Sequence, residues 1–170
     1  LLIWNFLTYT NSRLINRSEK VPYKIIEILT FLIVLQISIG ALVSGLDAGT
    51  IYQSWPLMNQ SYFPDDSLIS DLLSLSLFES PSLVQFIHRN LAYLIFLVFC
   101  FLGYLIYRNE RFSHLRSNFV LLFVILTFQI FLGVLTILSG AYIILASMHQ
   151  IGSILLISAS INLIFKNYKA

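Results

Sequence analysis

The stretch LVQFIHRNLAYLIFLVFCFLGYLIY, residues 83–107, decides the fold. It exceeds the roughly 20 apolar residues that cross a bilayer, and only His88 and Arg89 interrupt it with ionisable groups. Such groups are expensive inside a membrane and usually mark function. The rest of the chain agrees: 58% of its 170 residues are hydrophobic and 11% charged, against roughly 25% charged in a soluble domain. Mean hydropathy is +0.84. The class is all-α integral membrane, and no basic surface suited to nucleic acid is present.

Four spans are expected at about 25–46, 82–107, 118–138 and 140–165, forming a four-helix transmembrane bundle over residues 25–170. Residues 1–24 read as the tail of a membrane helix whose beginning lies outside the chain, followed by a basic loop. The third and fourth spans are separated only around Ser139, so they must form an antiparallel hairpin. Residues 47–81 form a long loop holding Asp47, Asp65, Asp66, Asp71 and Glu79 and no Lys or Arg. Arg13, Arg17, Lys20 and Lys24, then Arg108, Arg111 and Arg116, then Lys166 and Lys169, all fall on the other side of the bundle. Basic loops face the cytoplasm or matrix, so loop 47–81 is expected on the opposite side. Within it, LISDLLSLSLF (68–78) is amphipathic enough for a short helix on the membrane surface. Asp47, between Gly45 and Gly49, is expected to end a helix, and Tyr52 and Trp55 to sit in an interfacial belt. Cys100, the one cysteine, reads as a small buried apolar residue.

A faint internal repeat organises the spans. LQISIGALV (35–43) and FQIFLGVLT (128–136) share Q-I-x-x-G-x-L, aligning Gln36 with Gln129 and Gly40 with Gly133. Each precedes a span carrying one histidine, His88 or His149. At 1.5 Å per residue both imidazoles fall roughly 10–14 Å below the ends of their helices on the acidic side. Two histidines at one depth on repeat-related helices can face each other, and haem accepts an axial imidazole on each face. Ala92, Gly152 and Ser153 leave room beside them, and Phe86, Phe96 and Phe99 are candidates for the ring edge. A protein-only zinc site would want further ligands. The simpler reading keeps both histidines as hydrogen-bonding core residues, and the two glutamines as interhelical bonds beside close glycine contacts. His114 lies in the basic loop and reads as a surface residue. For Arg89 two readings stand together: pairing with a haem propionate, or snorkelling to the interface.

Three further runs carry a resemblance. GALVSGLDAGTIYQSWPLM, then LFESPSLVQFIHRNLAYL, then SMHQIGSILL resemble the C-terminal half of haem A synthase, in order, from about Gln36 to Leu156. The resemblance implies half of an eight-helix pseudo-symmetric membrane protein that oxidises the C8 methyl of haem O to the formyl of haem A for cytochrome oxidase assembly. It implies that His88 and His149 are the axial ligands of a haem b iron that passes electrons. Arg89 is assigned to that cofactor's site as a propionate partner. The catalytic glutamate belongs to the N-terminal half; Glu27, Glu79 and Glu110 do not match its position, so no catalytic residue is assigned in this chain. Implied partners are the N-terminal half with its haem O substrate, haem O synthase and membrane lipid. The implied location is a bacterial plasma membrane or mitochondrial inner membrane. The alternatives are a haem b electron-transfer subunit of another respiratory complex, a non-catalytic haem-carrying module, and a structural membrane protein with no cofactor.

Overall fold

The computed structural model describes residues 1–10 and 20–168, and every regular element among them is helical. Arg13, Arg17 and Lys169 of the expected basic segments lie outside the described residues. The α-helices are α1 (Leu2–Thr10), α2 (Ile25–Gly45), α3 (Pro81–Arg108), α4 (Arg116–Leu138) and α5 (Ile143–Tyr168). Helices α2 to α5 are long and apolar enough to cross a membrane. All four expected spans fall on them.

The ends follow from local chemistry. At the start of α3, the Ser80 hydroxyl accepts the Leu83 N–H at 3.4 Å, and Pro81 fills the first turn, where its missing N–H costs nothing. Helix α2 stops where Asp47 turns left-handed at φ 50°, a conformation that a short polar side chain tolerates. Its carbonyl then accepts the Thr50 N–H at 3.1 Å and hydroxyl at 2.8 Å. Asp47 therefore turns the chain, as its flanking glycines suggest. Between α4 and α5, Gly140 (φ 67°) and Ala141 (φ 59°) reverse direction. The Gly140 and Ala141 N–H groups close on the Ile137 and Thr136 carbonyls at 3.0 and 2.8 Å. This is the tight hairpin that the short separation requires.

Helix α2 packs on α3, α4 on α5, and α2 on α5, while α3 and α4 touch little. The order round the bundle is thus α3–α2–α5–α4. That order sets α3 and α5 on one diagonal and α2 and α4 on the other. Ile26, Leu29, Leu102, Ile106, Leu122 and Leu163 are among the fully buried side chains along the axis. Phe99 stacks on Phe119 at 4.5 Å between ring centroids, closing the sparse α3–α4 side. Helix α1 lies against α5, with Trp4 edge-on to Phe165 at 5.1 Å.

Three expectations need correction. Residues 68–78 form two short 3-10 turns, Ile69–Leu73 and Leu75–Glu79, rather than one surface helix. The Asp71 carboxylate takes the Leu68 N–H at 2.9 Å and the Ser74 hydroxyl takes the Ser76 N–H at 3.2 Å; side chains that bond nearby backbone compete with a continuous helix. Tyr52 is not interfacial but buried, only 3% exposed, because its hydroxyl finds Asp65 inside the loop. Cys100 is exposed rather than buried, because its side of α3 faces away from the bundle.

Candidate functional site

The two halves of the repeat meet at the histidines. On α2, Gly40 lies against the His88 ring: a β-carbon there would stand 3.1 Å from Cε1. On α4, Gly133 lies against the His149 ring in the same way, again 3.1 Å from Cε1. Bare backbone on one helix therefore accommodates an imidazole from its hairpin partner, once in each repeat. The glutamine one turn earlier differs between the halves. Gln36 places Nε2 3.2 Å from His88 Nε2 and donates to the His88 carbonyl at 3.0 Å. Gln129 instead packs its amide against the Gly152 backbone.

Helices α3 and α5 share a diagonal, and the two imidazoles are close enough to interact electrostatically. Each ring keeps a buried Nδ1 with no hydrogen-bond partner. Buried polar nitrogens of this kind are uncommon, and they ask for an acceptor, a water or a metal. Two imidazoles supply half the donors of a structural zinc site, and among the described residues no three His, Cys, Asp or Glu side chains gather to complete one. They do suit a group that brings four equatorial ligands of its own. The donor set and the small residues around it fit a haem.

The expected aromatics disperse. Phe86 meets Tyr62 and Phe63 edge-on at 5.6 and 5.0 Å, Phe99 packs on α4, and Phe96 is exposed. His114 sits in the 3-10 turn Glu110–Leu115, its Nδ1 3.2 Å from the Arg111 carbonyl, far along the chain from both histidines.

Arg89 is buried, 6% exposed. Its Nη2 donates to the Tyr52 carbonyl at 2.8 Å, and its Nη1 to the Ser54 and Leu57 carbonyls at 2.9 and 3.3 Å. Nε is buried and unpartnered, so an N–H remains for one more acceptor. Gln85, one turn earlier, donates to the same Tyr52 carbonyl at 3.1 Å. The sequence reading passed over Gln85. Its signal was there: a glutamine four residues before an arginine, on one face of an otherwise apolar helix.

Residues 1–161 match the family model COX15-CtaA, described as cytochrome oxidase assembly protein. The chain belongs to this family. Among its relatives is the Heme A synthase of Pelagibacter ubique, 43% identical over 150 residues, which are 88% of this chain and 44% of that protein. The Heme A synthase of Bartonella tribocorum is 38% identical over 154 residues, 88% of this chain and 43% of that protein. That of Bartonella bacilliformis is 34% identical over 164 residues, covering 94% and 46%. The chain thus spans less than half the length of these COX15-CtaA relatives. No solved structure matches it.

Proposed function

We propose that this chain is the cofactor-holding half of a haem A synthase, binding one b-type haem between His88 and His149 and passing electrons to a companion half that binds haem O. The observation that carries this reading is the paired contact of Gly40 with His88 and Gly133 with His149, because it brings one imidazole from each repeat to equivalent places on a shared diagonal. Family membership supplies the reaction class. When bound, a bis-imidazole haem exchanges single electrons at an iron with no open position. This half would therefore serve electron transfer rather than oxygen chemistry.

The chain's own residues have distinct tasks in this reading. His88 and His149 would hold the haem iron. Gly40 and Gly133 admit their rings. Arg89 offers its remaining N–H to a propionate, and arginine suits a carboxylate. The acidic loop lies on the side away from the cytoplasm or matrix, since Arg108, Arg111 and Arg116 cluster at the opposite end.

The test is a dithionite-reduced minus oxidised spectrum of the chain in mild detergent, beside His88→Ala and His149→Ala. A sharp low-spin b-type spectrum in the parent, lost in both variants, is expected. A well-folded parent without haem overturns the ligand pair. Reconstitution with the companion half should then convert haem O to haem A; a haem-loaded chain that never supports conversion would instead be an electron-transfer subunit of another complex.

A further inference from the structure

Ser82, Gln85 and Arg89 occupy positions i, i+3 and i+7 of α3, one stripe of the helix, and all three are buried. Each bonds the loop that precedes α3. Ser82 donates to Asp66 Oδ2 at 2.6 Å, and Gln85 to the Tyr52 carbonyl at 3.1 Å. Arg89 donates to the carbonyls of Tyr52, Ser54 and Leu57. The Arg89 bonds go to backbone, so the fork is fitted to the course of the chain through 52–57 rather than to an acidic side chain. A buried guanidinium answered only by neutral carbonyls is costly unless the geometry is well made. Here it gathers three carbonyls spread over six residues.

We propose that Arg89, with Gln85, is a positioning residue: it latches segment 52–57 onto the first turns of α3 and thereby fixes the rotation of the helix that presents His88. His88 immediately precedes Arg89, about 100° round the helix, so rotation of this turn moves its ring directly. Gly40 leaves little slack there, since the ring already stands 3.1 Å from a β-carbon position. Planarity and five fixed donors let arginine hold several carbonyls at once, which a lysine point charge does not. The effect on iron retention rests on the haem reading above; the latch itself does not.

The test uses the full chain in lipid nanodiscs, as parent, Arg89→Gln, Arg89→Lys and Gln85→Leu. Hydrogen exchange by mass spectrometry reads segment 50–60, and transfer of haem to apomyoglobin reads iron retention. Arg89→Gln should raise exchange in 50–60 about tenfold, the size of one charge-assisted hydrogen bond, with exchange across 116–168 unchanged. Haem should leave about tenfold faster from a site whose visible spectrum stays b-type, and Arg89→Lys should fall between. Gln85→Leu, which removes only the bond to the Tyr52 carbonyl, should also release haem faster; haem loss confined to the Arg89 variants would assign it to the propionate contact and overturn the positioning role. Unchanged exchange in Arg89→Gln overturns the latch whether or not haem is bound. Looser exchange with unaltered haem retention overturns the positioning role and leaves Arg89 a loop anchor. A parent that binds no haem fails the functional proposal, and the exchange result still decides the latch. Should Arg89→Gln lose its helical circular dichroism, Gln85→Leu carries the same comparison with a smaller rise, and no rise there counts against the latch.

Discussion

Gly40 leaves the His88 ring no room to spare: a β-carbon on Gly40 would stand 3.1 Å from Cε1. A contact that tight requires the ring to give by a few tenths of an ångström. Gly40→Ala is therefore expected to weaken haem retention about tenfold or more while adding helix propensity of roughly 0.5–1 kcal/mol. Gly133→Ala should behave alike through His149. Gly45 has nothing within 4 Å of its β-carbon position, so Gly45→Ala should leave the spectrum unchanged. Haem content and thermal unfolding, measured on all three, separate ring displacement from helix propensity. Equal spectra in all three would remove the glycine contacts from the site.

Gly103 tests the packing that closes α3 against α4. A β-carbon there would lie 2.6 Å from Phe119 Cζ, and that ring stacks on Phe99 at 4.5 Å. Neither ring can retreat without losing the stack. Gly103→Ala should cost about 1–3 kcal/mol, the range for overpacking, read as a lowered unfolding midpoint in detergent. A stabilised variant would mean that α3 and α4 separate more easily than this contact implies.

Thr30 on α2 and Ser160 on α5 hydrogen-bond through their hydroxyls, and Ser160 is fully buried. Thr30 also bonds back to the Ile26 carbonyl at 2.9 Å, so its hydroxyl is served twice. Interhelical bonds of this kind average about 0.6 kcal/mol in membrane proteins. A double-mutant cycle with Thr30→Val and Ser160→Ala should give a coupling near that value. A coupling indistinguishable from zero would show the backbone bond alone satisfying Thr30.

The spans and their order were legible because apolar length is a strong signal in lipid and needs no tertiary knowledge. The repeat was legible only as a letter pattern; that Gly40 meets His88 and Gly133 meets His149 required three dimensions, since hairpin contacts join residues 48 apart in one half and 16 in the other. Arg89 was marked by its cost, yet its carbonyl partners were invisible, because backbone acceptors carry no sequence signature. Tyr52 read as interfacial for the same reason: a tyrosine in a loop looks the same whether its hydroxyl meets water or folds back onto Asp65. The apolar spacing of 68–78 reads as one amphipathic helix, whereas the bonds of Asp71 and Ser74 to local backbone break that run into turns.

The loop's acid–base chemistry yields the last prediction. Tyr52 is pushed up to about 12, first by burial and then by hydrogen bonds to Asp65 and Asp66 and by their charge. Burial alone would raise the Asp66 carboxyl, but hydrogen bonds from Ser82, Ser67 and Tyr52 outweigh it and hold Asp66 below its usual 3.8. The signs run oppositely. A phenol whose pKa rises on folding stabilises the loop fully below 10 and loses that contribution as pH climbs from 10 towards about 12. A carboxyl whose pKa falls on folding stabilises it above 3.8 and loses that contribution as pH drops through the folded value. Loop 52–66 should hold evenly through the neutral range and loosen at both extremes. In Tyr52→Phe the alkaline loss should vanish and the acid loss remain. Absorbance at the tyrosinate band, parent minus Tyr52→Phe, isolates this phenol from the other eight tyrosines. A difference titration centred near 12 is expected; one centred near 10 would mean that the Tyr52 hydroxyl reaches solvent and that the Asp65 contact does not hold the loop.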